Sequence, residues 1–146
     1  MKTILALVDF SDVTEAVVKA AGELAGTFKA VIYLLHVAAP DPDFVGYEAG
    51  PQTVRDNAAK HFREEHRSLH DLEEGLKKKG IDARVLLVQG ATVEKALQEM
   101  VRLKADVVVM GSHGHSALRN VLVGSVTEGV LRKAGCPVLV VPRKKG

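Results

Sequence analysis

The sequence predicts an α/β protein with an open, doubly wound parallel sheet, and three observations carry this prediction. Five short runs rich in Val, Ile and Leu are near-continuous rather than alternating, which is typical of strands covered on both faces. Helical patterns separate these runs in the order β-α-β-α-β-α-β-α-β. Right-handed crossovers then favour an open sheet with helices on both faces. The length of 146 residues suits a single domain, 1–146, with its own core.

The predicted strands are aliphatic, because the chain has no Trp and aromatic residues make up only 4% of it. Val, Leu, Ile and Ala are therefore expected to fill the space between the sheet and the helices. The predicted strands cover residues 3–9 (TILALVD), 30–37 (AVIYLLHV), 83–89 (ARVLLVQ), 105–111 (ADVVVMG) and 137–142 (PVLVVP).

The first helix follows the first strand. Apolar residues recur at spacings of three and four from Val13 to Leu24, which places them on one helix face. Asp12 and Glu15 can form a capping pair at its start, with Ser11 as the competing cap.

The second helix is the longest and is predicted over 54–79. An apolar stripe from Phe62 to Leu76 forms its buried face, and Gly80 is a suitable stop. The segment before it, 38–51, is rich in Pro and Gly and is predicted to be a long loop.

The third and fourth helices are predicted from their start signals. Thr92 is a plausible N-cap before an apolar stripe that reaches Val101. Ser125 and Glu128 have the spacing of a capping box and open a helix that runs to about Ala134.

Composition excludes several classes of function. The formal net charge of +2 is too small to argue for nucleic-acid binding, and no run reaches the roughly 20 apolar residues of a membrane span. The opening MKTILALVDFSD lacks the apolar length of a signal peptide. Cys136 is the only cysteine, so no intrachain disulfide can form, and it is interpreted as a buried inert thiol. These features predict a cytoplasmic protein.

A glycine-rich stretch, GSHGHSALRNVLVGS, occupies residues 111–125. It matches neither the phosphate loop that ends in Gly-Lys-Ser/Thr nor the dinucleotide pattern G-x-G-x-x-G. Nevertheless, Gly111 and Gly114 leave a predicted strand, and Gly124 precedes Ser125 at a predicted helix start. Free amides and the positive end of the helix dipole would favour an anion there. The alternative is three loop glycines followed by a capping serine.

Three of the predicted strand ends carry candidate ligand residues. Asp9 ends the first strand, Val37 ends the second, and Gly111 ends the fourth. In open α/β sheets, ligands bind outside the carboxyl ends of the strands, where the strand order reverses. These residues are therefore expected to converge on one crevice. Asp9 also has a simpler interpretation, as an acid stabilised by the dipole of the helix that follows it.

The glycine spacing resembles the ATP-binding signature of the universal stress protein family. In this sequence it reads Gly111, two residues, Gly114, nine residues, Gly124 and Ser125. The resemblance extends from ALVDFSD in the first strand to PVLVVP in the last, nearly the whole chain. It implies a Rossmann-like fold with a five-stranded parallel sheet of order 3-2-1-4-5.

The resemblance also implies a binding role for eight residues. Asp9 would face the ribose, and Val37 would offer backbone groups to the adenine edge. Met110 and Gly111 would line the sugar. The phosphates would be surrounded by Gly114, Gly124, Ser125 and Val126.

The resemblance further implies a stress-response protein regulated by ATP, AMP or ADP, with any Mg²⁺ carried by the nucleotide. It also implies a homodimer paired through residues 138–141 and a protein partner that the sequence does not identify. Two other functions stay open: slow ATP hydrolysis or transfer of a phosphoryl or adenylyl group, and a dimeric scaffold with a vestigial pocket. No catalytic residue is predicted, and turnover of ATP is expected to be slow at most, because Arg119 is the only fixed cation in the glycine stretch.

Several histidines are candidates for metal ligands or catalytic groups. His113 and His115 lie in the glycine stretch without carboxylate or thiolate partners nearby in sequence, so a hydrogen bond near phosphate is favoured over a metal site. His66 and His70 are four apart and could clamp a metal from one helix face, but a half-exposed position beside the apolar stripe is favoured. His36 is predicted to be a hydrogen-bonded interior residue. No metal site is predicted.

Overall fold

The structure, a computed structural model, describes residues 1–39, 52–113 and 123–144. Strands and helices alternate along these ranges as the sequence predicts. Their bounds are β1 Thr3–Leu7, α1 Thr14–Phe28, β2 Val31–Ala38, α2 Gln52–Lys78, β3 Ala83–Gln89, α3 Thr92–Arg102, β4 Val107–Gly111, α4 Ser125–Lys133 and β5 Val138–Val141.

The five strands form one parallel sheet in the order β3-β2-β1-β4-β5, which confirms the predicted fold class and strand order. β1 lies at the centre, with Leu7 paired to Leu35 of β2 on one side. On the other side it pairs with β4, which continues to β5. The strand order therefore reverses between β1 and β4, and the carboxyl ends of these two strands flank the expected binding crevice.

Two aliphatic layers cover the two faces of the sheet. Ile4 and Ala6 of β1 point to the layer under α1 and α2, whereas Leu5 points to the layer under α3 and α4. This alternation follows from the period of two along a strand. Burial on both faces explains why β1 reads as an uninterrupted apolar run.

The helix starts differ from their predictions. The residues at the N-cap positions of α1, α3 and α4 are Val13, Ala91 and Gly124, and none of them makes a side-chain capping bond. At α1, the Ser11 carbonyl accepts the Thr14 N–H at 3.1 Å. The predicted caps are therefore wrong, and at α1 a backbone carbonyl of the preceding turn performs part of the capping.

The start of β4 also differs, at Val107 rather than residue 105. The Asp106 carboxylate accepts the backbone N–H groups of Lys2 and Thr3 at 2.7 and 2.8 Å. These two bonds hold the pKa of Asp106 below its ordinary value. Asp106 thus ties the beginning of β1 to the loop before β4. The predicted stop of α2 is confirmed, since Gly80 follows it with a φ of 78°.

Candidate functional site

A cavity of about 430 Å³ opens at the carboxyl ends of β1 and β4. Its volume falls within the range of ligand sites, about 300–1,000 Å³. Seven of the eight predicted binding residues line it, and the eighth, Gly114, lies outside the described residues. The seven lining residues are Asp9, Val37, Met110, Gly111, Gly124, Ser125 and Val126.

The N-terminal end of α4 forms one wall of this crevice. The Gly124 N–H is already used, since it donates to the Ser112 carbonyl at 2.7 Å, and the Gly124 carbonyl accepts from Glu128. The N–H groups of residues 125–127 belong to the first turn, where a helix offers no internal acceptor. Within the described ranges, no other part of the protein accepts a hydrogen bond from these three N–H groups either. The positive end of the helix dipole adds to them, so this wall can receive an anion.

Two buried hydroxyl residues that the sequence analysis missed fix this wall. The Thr127 hydroxyl donates to the Gly111 carbonyl at 2.7 Å, which ties α4 to the end of β4. Ser112 is also buried, and its N–H donates to the Val141 carbonyl at 2.9 Å. Its hydroxyl oxygen accepts the Arg143 N–H at 3.2 Å. Ser112 therefore joins the start of the glycine stretch to the end of β5.

Asp9 lies in a turn between β1 and α1. Its Oδ1 accepts the Ser11 N–H at 3.0 Å, and Phe10 between them has a left-handed φ of 60°. A carboxylate that bonds the amide two residues on is a common turn-forming device. The helix-flanking interpretation of Asp9 thus has structural support. It does not exclude a ligand role, because Asp9 also lines the crevice.

Gly111 has a packing reason to be glycine. A Cβ atom at this position would come within 2.5 Å of Val13 Cγ1 and 3.3 Å of the His113 carbonyl oxygen. Glycine therefore lets the start of α1 lie directly against the end of β4. The group that approaches the backbone closely at this position is therefore a side chain of the protein itself.

The histidines occupy three different environments. His113 lines the crevice, and its Nδ1 lies 3.0 Å from the Ser112 hydroxyl. The rings of His66 and His70 lie 4.5 Å apart on the exposed side of α2. His36 is buried with both ring nitrogens engaged, which confirms its predicted interior position. Across the described part of the chain, no three His, Cys, Asp or Glu residues are grouped to hold a metal. His115 lies outside that part, as does Arg119.

Cys136 is half-buried before β5, and burial raises the pKa of its thiol. A thiol with a raised pKa is a poor nucleophile at neutral pH, which supports the interpretation of an inert residue. The described helices include none with the length and apolar character to cross a bilayer.

Comparison with known proteins gives consistent matches. The model of the universal stress protein family matches residues 1–142. The universal stress protein MJ0531 of Methanocaldococcus jannaschii is 32% identical over 145 residues, covering 99% of this chain and 84% of that protein.

Solved structures agree with this result. The structure of MJ0577 from the same organism superposes with a TM-score of 0.85 and 28% identity, covering 99% of this chain and 98% of that chain. The universal stress protein from Archaeoglobus fulgidus, solved in complex with dAMP, superposes with a TM-score of 0.67 at 20% identity. The superposition covers 96% of this chain and 97% of that chain, so the two proteins share a fold.

Proposed function

Since the chain belongs to the universal stress protein family, we propose that it is a cytoplasmic stress-response protein that binds ATP or a related adenine nucleotide in the crevice. One observation carries the proposal: seven residues from four separate segments, matched to the family's binding positions, line a single cavity at the reversal of strand order. The dAMP complex of a relative with the same fold supports an adenine nucleotide as the ligand class.

The proposed pose follows the walls of the crevice. The phosphates lie at the N-terminal end of α4, against Gly124, Ser125 and Val126, where the first-turn amides can donate to them. Gly114 is proposed to complete this part of the site. The sugar lies toward the ends of β1 and β4, by Asp9, Met110 and Gly111. The adenine reaches the end of β2, where Val37 offers backbone groups. Any Mg²⁺ would arrive bound to the phosphates.

The nucleotide is proposed to be held as a regulatory signal rather than turned over efficiently. Phosphoryl transfer needs positioned cations around the terminal phosphate and a group that orients the attacking water. Among the described residues that line the crevice there is no Lys or Arg. Glu128 lines it as an acid, and its carboxylate is occupied by Arg132 at 2.7 Å. A regulatory binder, whose nucleotide state is read by a protein partner, fits these walls better than a phosphotransferase does.

A single series of measurements separates the binder from an enzyme. Calorimetric titration with ATP and Mg²⁺ should show saturable binding, and nucleotide released from denatured purified protein should have the mass of an adenine nucleotide. Phosphate release from the same sample should stay far below the ~1–100 s⁻¹ of kinases. Turnover in that range would favour the alternative enzyme. Absence of both heat and released nucleotide would favour the vestigial pocket.

We also propose a two-fold homodimer paired antiparallel through residues 138–141. β5 lies at one end of the strand order and pairs with β4, and its Leu139 is 40% exposed. An apolar edge strand of this kind tends to be paired or covered.

Sedimentation measurements test the dimer. The wild-type chain should sediment as a dimer at micromolar concentration, and Leu139→Asp should shift it toward monomer by placing a charge at the apolar pairing edge. Phe28→Asp is the matched control, because Phe28 is 51% exposed but belongs to the end of α1 and not to β5. A monomeric wild-type chain would contradict this proposal.

A further inference from the structure

A largely buried histidine–carboxylate pair connects β2 to α2 beside the crevice. His36 Nε2 lies 2.9 Å from Glu65 Oε2, and the two side chains are only 11% and 13% exposed. His36 also lines the crevice, although the proposed nucleotide pose assigns it no contact. Its second nitrogen, Nδ1, lies 2.8 Å from the Val8 carbonyl oxygen.

The two contacts fix where hydrogen atoms must be. A carbonyl oxygen only accepts, so Nδ1 of His36 carries a hydrogen and donates it to Val8. On the other side, an ionised Glu65 also only accepts, so Nε2 would need a hydrogen as well. A neutral imidazole has a single N–H. Both bonds therefore form only when the His36–Glu65 pair holds one additional proton, on the ring or on the carboxyl.

The bond to the Val8 carbonyl fixes the backbone close to Asp9, one of the proposed nucleotide-binding residues. Val8 lies one residue beyond the end of β1, and its N–H donates to the Leu35 carbonyl at 2.9 Å. The N–H and the carbonyl of Val8 are thus both bonded to residues of β2, immediately before Asp9. The Phe10 ring lies 4.6 Å from the His36 ring, so His36 contacts this turn at a second point.

We propose that His36, fixed by Glu65, is a positioning residue that holds the Val8–Phe10 turn, and with it Asp9, in the geometry that receives the nucleotide. This inference rests on the proposed function of the crevice. His36 acts through the Val8 carbonyl, and Glu65 acts by keeping the donating Nδ1 aimed at it. The His36 ring thus links α2 to the proposed nucleotide site.

Two conservative substitutions distinguish the roles of the two ring nitrogens of His36. In His36→Asn, the amide nitrogen lies near the former Nδ1 and can still donate to Val8. In His36→Gln, the longer side chain places the amide nitrogen near the former Nε2, so it reaches Glu65 and leaves the Val8 carbonyl without its donor. We expect His36→Asn to keep the Kd for ATP within about threefold of wild type and His36→Gln to weaken it by about tenfold.

The contribution of Glu65 is tested in the same way. Glu65→Gln can donate its amide to an unprotonated Nε2, so the ring keeps its Nδ1–H and ATP affinity should be retained. Glu65→Leu removes that partner, and affinity should fall toward that of His36→Gln. His61→Asn is the matched control, since His61 contacts the other Glu65 oxygen but is 73% exposed, and it should change the Kd by less than about twofold.

Nitrogen NMR of the imidazole supplies a readout that a purely structural role would not move. In the ligand-free wild-type chain, His36 Nδ1 should carry a hydrogen, and the amide signals of residues 8–11 should move in His36→Gln but stay near wild type in His36→Asn. A ring with a hydrogen only on Nε2, or equal ATP affinity in the two folded variants, would overturn the positioning role. If wild type fails to bind ATP while the NMR pattern holds, the proposed function fails and the control of the turn by His36 stands.

Discussion

Replacing Gly124 with Val is expected to weaken ATP binding by at least about 100-fold, which corresponds to about 2.7 kcal/mol, while leaving the fold intact. Gly124 has φ −70° and ψ 162°, an extended conformation that a β-branched residue adopts without strain. The variant should therefore fold. Its added side chain would stand at the N-terminal end of α4, where the phosphates are proposed to approach the first-turn amides.

Calorimetry on a variant with an unchanged circular dichroism spectrum measures this effect. Gly135→Val is the matched control, because a Cβ at Gly135 meets only Met100 Cε, at 4.0 Å, and Gly135 does not line the crevice. It should bind ATP like wild type. Unchanged affinity in folded Gly124→Val would mean that the phosphates do not lie at α4.

Replacing Gly111 with Ala is expected to destabilise the fold by about 1–3 kcal/mol, the usual cost of overpacking. The new methyl group would meet Val13 Cγ1 at 2.5 Å. Val13 is a stiff, β-branched residue that is buried where α1 starts, so it cannot move aside cheaply. Denaturant unfolding measures the change as a lower midpoint with an unchanged slope.

A double-mutant cycle identifies the cause of that loss. If the clash with Val13 is responsible, then Val13→Ala should cost less stability in the Gly111→Ala background than in wild type, by about 1 kcal/mol or more. Gly26→Ala is the control, since Gly26 lies in α1 with open space around it and the change should stabilise slightly. Strictly additive effects of the two substitutions would contradict the packing explanation for Gly111.

The sheet was predictable because its strands are buried on both faces. A parallel strand such as β1 needs apolar residues toward both helix layers, so its sequence is apolar throughout and stands out from the helices around it. The strand ends were less predictable. β4 starts later than its apolar run suggests, because Asp106 is engaged with the amides of Lys2 and Thr3. Each of these two bonds spans more than a hundred residues, and no local pattern reveals them.

The helix-cap residues were predicted wrongly for a related reason, because they too depend on the path of the chain outside the helix. Ser11, Thr92 and Ser125 are good capping residues in isolation, yet α1 begins after a turn set by Asp9, and Gly124 occupies the N-cap position of α4. Local propensity identifies which residues can cap a helix. The path of the preceding chain decides which residue stands at the cap position.

In the crevice, too, some features could be predicted from the sequence, and others depend on partners distant in the chain. The convergence of Asp9, Val37 and Gly111 followed from the topology, because strand ends in a parallel sheet must meet at one edge, whereas the other lining residues were implied by the family resemblance. The residues that support the lining did not follow from either. Ser112, Thr127 and the His36–Glu65 pair act through partners distant in sequence. The packing role of Gly111 similarly depends on Val13, which the glycine stretch alone does not reveal.

The proposal that an adenine nucleotide occupies this crevice is tested most directly by amide NMR of the labelled chain during titration with ATP. The account predicts saturable shifts that cluster at the N-terminal end of α4, at Gly124, Ser125 and Val126, and at the ends of β1 and β2, at Asp9 and Val37. The absence of shifts at millimolar ATP, or shifts confined to residues outside the crevice, would contradict it.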